Sequence, residues 1–195
     1  VIGALPQALA ADGVEVAVVL PRYRATKLEK AKQVNPSLTV ALGTHLHFPG
    51  ILEAPKSGKV RWLFVDYPPF FERDSLYVGK DGKDYPDNPE RFSLFSRAVL
   101  EIAKNIFRPD VIHCHDWQAG LAPVLLRTAY AQDTQLSDIP TVFTIHNLGY
   151  QGLFPSDSIL RAGLGWEQFT MDGLEFYGQV NFLKGALLHS SAVTT

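Results

Sequence analysis

The chain is poor in the features that settle function class at once. Among 195 residues there is one cysteine and one methionine. A single thiol cannot close an internal disulfide, so no disulfide framework holds this fold and a reducing compartment is the default expectation. No apolar run approaches the roughly 18 residues of a membrane-spanning helix, and the opening residues do not follow the charged, apolar and small-residue order of a signal peptide. Neither sign of charge dominates. Eighteen Lys and Arg against twenty Asp and Glu leave a net charge of −2, scattered along the chain, so there is no electrostatic footprint for nucleic acid or an anionic membrane. A G-x-S-x-G nucleophile elbow and a phosphate-cradling P-loop are both absent, which removes the best-marked hydrolase and nucleotidase readings.

What is present is enough apolar material for a core, 46% of residues. "VIGALPQALAADG" reads as a helix already in progress, with Ile2, Leu5 and Leu9 at spacings of three and four and Gly13 as its stop. The final "LLHSSAVTT" passes from a helical pattern into a β-branched stretch. With no initiator methionine at the start, both ends are expected to be cut from a longer polypeptide. "VEVAVVLP" (14–21) is a short apolar run suited to a parallel strand buried on both faces. Residues 37–67 turn to alternation, with "LTVAL", "THLHF" and "KVRWLFVDY" separated by Pro49-Gly50 and Ser57-Gly58, and this predicts an inserted antiparallel β-meander. Residues 68–90 form a proline-containing polar loop. Phe92, Phe95, Val99, Ile102 and Ile106 then mark one face of a helix ending at Arg108-Pro109. "DVIHCH" follows as a strand, Ala122, Leu125, Leu126 and Ala129 mark another helix, and "PTVFTIH" is a second buried strand. The alternation predicts a Rossmann-like, doubly wound α/β sheet.

In such a sheet ligands bind beyond the carboxyl ends of the strands. Two strands end alike: "VIHCHDW" delivers His115, Asp116 and Trp117, and "VFTIHN" delivers His146 and Asn147. A zinc site is disfavoured, because Cys114 must oppose His113 and His115 on a strand and no second ligand cluster lies nearby. Cys114 reads as a small buried hydrophobe and His113 as a core histidine bonded to backbone. Asp116 stands where strand gives way to helix, so it either caps that helix or faces a ligand, and both readings stay open. Nothing local requires His146, whose imidazole suits a sugar hydroxyl or a developing charge. Trp117, Tyr85 and Tyr150 add aromatic surface, as useful for packing as for sugar stacking.

"DVIHCHDWQAGLAP", "TVFTIHNLGYQGLFP" and "GLEFYGQVNFLKGALLHSSAVTT", in this order and spacing, resemble the bacterial glycogen synthases and the plant or algal starch synthases. The opening "VIGALPQALAADGVEVAVVLPRY" fits as well, so the resemblance covers essentially the whole chain. It implies the N-terminal half of a GT-B fold, with residues 1–195 as one acceptor-side domain whose first strand and K-x-G-G-L glycine loop precede Val1. It implies retaining transfer of glucose from ADP-glucose (or UDP-glucose) to the non-reducing end of an α-1,4-glucan. The C-terminal domain of the same chain would be an obligatory partner, and this piece alone would be inactive and marginally stable.

Carried over by position, His146 and Asp116 match catalytic residues of that family. Tyr85, Trp117, Asn147, His115 and Gln151 match residues lining its cleft. No metal and no cofactor are implied, the nucleotide sugar being a substrate. Location would be cytoplasmic for a bacterial member and plastidic for a plant one. Two other readings share these motifs: a catalytically silent glucan-binding module, and another GT-B glucosyltransferase such as a sucrose synthase relative.

Overall fold

Short apolar runs bounded by Gly and Pro become strands here, and longer periodic segments become helices. The computed structural model describes residues 3–55 and 58–195. Ile2 and Ser57, part of the expected opening helix and of one expected turn, lie outside the described residues. Within them the elements run α1 (Leu5–Ala11), β1 (Val16–Pro21), β2 (Lys32–Asn35), β3 (Val40–Leu42), β4 (His45–His47), β5 (Gly50–Glu53), β6 (Val60–Asp66), α2 (Pro68–Phe71) and α3 (Asn88–Asn105). There follow β7 (Ile112–His115), α4 (Leu121–Arg127), β8 (Thr141–Thr144), β9 (Leu153–Pro155), α5 (Ser158–Arg161), β10 (Glu175–Phe176), β11 (Gln179–Asn181), α6 (Phe182–His189) and β12 (Ala192–Thr194). The chain forms two compact units, Val1–Thr39 with His47–Tyr85 and Val40–Leu46 with Pro86–Thr195.

The first unit carries a four-stranded sheet in the order β1-β6-β5-β2. β1 and β6 are parallel, in register from Val16 opposite Val60 to Pro21 opposite Val65, while β5 runs antiparallel to both β6 and β2. The antiparallel pairs β5–β6 and β5–β2 are the expected inserted antiparallel material, and β6 in addition joins the parallel partner β1. β6 is an interior strand: Leu63, Phe64 and Val65 are buried in succession, as a strand covered on both faces requires. β1, expected to be buried on both faces, is only half-buried over Val16–Leu20, because among the described residues it has a neighbouring strand on one side alone. Gly50 opens β5 rather than separating two strands, and the polar β2 carried no apolar pattern to announce it. α1 buries Pro6 and Ala10, with Leu5 and Leu9 half-buried, and Gly13 ends it at φ +92°. The expected loop after Tyr67 begins with the single turn α2, whose Phe71 is buried against the edge of Tyr23, ring centroids 5.9 Å apart.

The second unit is built on the parallel sheet β12-β8-β7. Residues in register on parallel strands share a face. Ile112, Cys114 and Phe143 therefore point into the core, at 7%, 3% and 0% exposure, and His113, His115 and Thr144 occupy the opposite face. α4 packs on α3 and α6. α3 departs from the expected single apolar face, since Arg91 to Ala98 are all buried. It is enclosed by α4, α5 and β3, and both of its buried arginines find partners inside, while Ser96 Oγ and Arg97 Nε have none among the described residues. The Arg91 guanidinium donates to Asn88 Oδ1 at 2.6 Å. Arg97 donates to the Gly163 carbonyl at 2.7 Å, and burial pulls its pKa below the ordinary guanidinium value. α3 ends at Asn105, before the predicted Arg108-Pro109 stop, and α4 ends two residues short of Ala129.

Candidate active site

β7 and β8 lie side by side and run the same way, with His115 opposite Thr144, so both chains leave the sheet at one rim. Ile145 N donates to the Thr194 carbonyl at 3.0 Å and extends the pairing with β12 by one residue before the loop begins at His146. There the two strand ends meet: His115 Nδ1 lies 3.0 Å from His146 Nε2, with ring centroids 5.2 Å apart and planes inclined by 30°.

Asp116 closes the junction. Its Oδ1 accepts from the backbone N–H of His146 at 2.8 Å and of Asn147 at 3.4 Å, while its own N–H donates to the Thr144 carbonyl at 3.0 Å. It stands at the N-cap position of the 3-10 turn Trp117–Ala119, yet its side chain makes no capping bond. The carboxylate reaches across to β8's loop instead, so it is not the cap of that turn. Its backbone, at φ +55° and ψ 178°, occupies a region used almost only by glycine. Such a conformation costs about 1–3 kcal/mol and persists where the surroundings enforce it. The enforcing contacts are these charge-assisted bonds to main-chain amides. Oδ2 has no hydrogen-bond partner among the described residues.

His113 differs from its expected core role. It is exposed and bonds a side-chain hydroxyl, Thr144 Oγ1, at 2.7 Å. That hydroxyl continues to Thr194 Oγ1 at 2.6 Å. The His113 ring also lies against His115, centroids 4.2 Å apart. Burial, aided by the neighbouring imidazoles of His113 and His146 and opposed by Asp116, pushes His115 down to about 4. His113 is lowered too, by burial and then by His146. His115 is thus neutral at physiological pH. Among the described residues no group of three or more His, Cys, Asp or Glu is placed to hold a metal ion. Cys114, on the other face of β7, is buried and its thiol is pushed up to about 12 by desolvation.

The loop after His146 is fastened at both ends. Asn147 Oδ1 accepts from Gly149 N at 2.9 Å. Gln151 Nε2 donates to the Leu148 carbonyl at 3.2 Å, and its Oε1 accepts from Asn181 Nδ2 at 2.8 Å. Asn181 is buried and also caps α6, accepting from Lys184 N at 2.9 Å. Leu148 and Tyr150 stand out from the loop, 60% and 70% exposed.

Trp117 does not. At 7% exposure it sits edge-on between Phe92 and Phe154, centroids at 4.8 and 5.6 Å. Its ring supports the site from below and is not an open platform for a sugar. Gly152, at φ +63°, passes so close that a Cβ there would lie 2.7 Å from the indole. Tyr85 belongs to the first unit, where it is half-buried with the Arg73 guanidinium 4.8 Å above its ring, and it is not among the residues this junction brings together. Thr144, Thr194 and Asn181 were not anticipated. Thr144 was within reach, because the register that pairs it with His115 puts both on one face.

The family model described as the starch synthase catalytic domain matches residues 1–195. The chain belongs to this family. Its relatives include the glycogen synthase of Koribacter versatilis (strain Ellin345), 52% identical over 195 residues, and glycogen synthase 2 of Geobacter sulfurreducens, 46% identical over 198 residues. In both comparisons all of this chain is covered and 40% of the relative. Among solved structures, the catalytic domain of starch synthase IV from Arabidopsis thaliana, bound to ADP and acarbose, superposes with a TM-score of 0.85 at 29% identity, over 100% of this chain and 40% of that one. The chain therefore spans about two-fifths of the length of these relatives. The starch synthase domain segment described here has the parallel α/β architecture of that GT-B structure. At its β7–β8 rim three polar atoms, His146 Nδ1, His115 Nε2 and Asp116 Oδ2, have no hydrogen-bond partner among the described residues.

Proposed function

We propose that residues 1–195 form the acceptor-side domain of a glycogen or starch synthase. The enzyme transfers glucose, with retention, from ADP-glucose to the non-reducing end of an α-1,4-glucan. The observation that supports this most is the junction of His115, Asp116 and His146 at the carboxyl ends of two adjacent parallel strands, the place where open parallel sheets bind ligands. His146 is the group offered to the reacting sugar, as a hydrogen-bond donor where charge develops. Asp116 holds the loop with one oxygen and has the other free for a hydroxyl. Asn147 and Gln151 set the loop's shape, and Trp117 supports it.

The reaction needs no cofactor on this reading, since the nucleotide sugar is consumed. Among the described residues Asp116 has no second carboxylate bonded into this junction, so glycosidase-type double displacement is not part of the scheme. Residues 1–195 alone are expected to be inactive, because a transferase must enclose both donor and acceptor.

The test is turnover of the full-length enzyme with ADP-glucose and a maltooligosaccharide. His146→Ala and Asp116→Ala should each lower kcat by roughly 100-fold or more. Near-normal turnover by both variants would refute the assignment. Competition between ADP-glucose and UDP-glucose on the same enzyme fixes the donor.

A further inference from the structure

We propose that His115 is a positioning residue: by engaging Nε2 of His146 it fixes the ring orientation and tautomer of His146, leaving Nδ1 as the nitrogen that meets the substrate. The inference rests on the catalytic reading of His146 and gives that residue's chemistry a definite atom.

The geometry carries it. His115 Nδ1 and His146 Nε2 are 3.0 Å apart, a hydrogen bond that needs one nitrogen protonated and the other bare. The His146 ring cannot swing away while its backbone is held, and Asp116 Oδ1 holds the N–H of His146 at 2.8 Å. Ring and main chain are thus gripped by adjacent residues of one strand. His146 Nδ1 has no partner among the described residues. Two arrangements satisfy the bond with both rings neutral. When His115 donates, His146 carries its proton on Nδ1 and presents a donor. When His146 donates from Nε2, its Nδ1 is an acceptor.

Passage between them moves a proton along the bond, takes one from His146 Nδ1 and puts one on His115 Nε2, so the tautomer of His146 is set by that of His115. His115 can serve in this way because it stays uncharged. The titratable groups facing it are His113, His146 and Asp116, and the ring is half-buried against His113. His113 has a lesser part, its Nε2 being tied to Thr144 Oγ1. Sequence alone gives His115 the look of a second sugar contact. The bond to His146 gives it a supporting role as well.

The experiment compares His115→Asn and His115→Phe in the full-length enzyme. The Asn amide places a donor or acceptor near the position of Nδ1, and Phe fills the volume of the ring without one. Positioning predicts kcat within about threefold of wild type for Asn and reduced by roughly tenfold or more for Phe, with KM for glucan little changed in either. A packing role predicts the reverse order, and Phe equal to or better than Asn would overturn the proposal. The second readout is the imidazole ¹⁵N spectrum of labelled enzyme. In the wild type and in His115→Asn the two nitrogens of His146 should differ sharply, as in one dominant tautomer, and in His115→Phe they should move towards an averaged pair. Unchanged His146 shifts in His115→Phe would likewise overturn it. His146→Ala separates the two readings: normal turnover there would remove the catalytic assignment, while the ¹⁵N spectrum would still decide whether His115 sets the tautomer.

Discussion

Two pairs of parallel strands in this chain end in a basic or imidazole side chain beside an aspartate, and they end differently. At the carboxyl ends of β1 and β6, Arg22 Nη1 lies 3.0 Å from both oxygens of Asp66, so the charges neutralise each other. At the ends of β7 and β8, the Asp116 carboxylate is spent on main-chain N–H groups and the imidazoles are left to each other. A side chain that satisfies a carboxylate closes the strand end. A backbone that satisfies it leaves the neighbouring side chains available. The placement of polar residues at strand ends is therefore not itself a site; what matters is which partner each one takes.

The contrast can be broken at Asp116 first. Asp116→Ala strands two amides, and the chain should lose about 1–3 kcal/mol of unfolding free energy. Asp116→Gly removes the same carboxylate but suits φ +55°, so it should recover about 1 kcal/mol of that loss. Equal stability of the two variants in denaturant titrations would show that the backbone there is unstrained. A middle-sized effect is expected from pH. His115 titrates near 4 when folded against an ordinary value of 6.5, so between those limits the unfolded chain binds more protons and stability falls as pH falls. His113, also lowered, adds in the same direction. Unfolding measured from pH 7 to pH 4 should show a shallower decline in His115→Asn, and parallel curves would sink this account. The smallest effect belongs to the closed strand end. Arg22 and Asp66 are 41% and 24% exposed, and Arg22→Ala should shift stability by no more than about 1 kcal/mol, an effect that weakens further in high salt.

The site was legible where chemistry and period coincide. "VIHCHDW" and "VFTIHN" are short apolar strands with polar ends, and adjacency of their termini follows from the right-handed crossover that links them. What sequence could not show was partner choice. Asp116 looks like a helix cap because the turn after it is local, whereas the amides it binds lie 30 and 31 residues away. Trp117 reads equally as platform or packing, and only the phenylalanines from α3 and β9 around it decide. In the first unit, alternation around "KVRWLFVDY" suggested a hairpin, but the burial of Leu63, Phe64 and Val65 follows from a neighbour, β1, some forty residues earlier. α3 hid most. Its arginines at 91 and 97 carried no sequence signal of burial, and inside the protein Asn88 and the Gly163 carbonyl receive them.

Cys114 hangs from β7 on the side away from His113 and His115, 3% exposed and with its thiol near 12. Alkylating reagents at neutral pH meet almost no thiolate there. Within these residues a cysteine introduced in place of Tyr150, 70% exposed on the loop that starts at His146, would take a fluorophore selectively without any need to remove the native one. The molecule thus comes ready for a reporter beside its most informative loop.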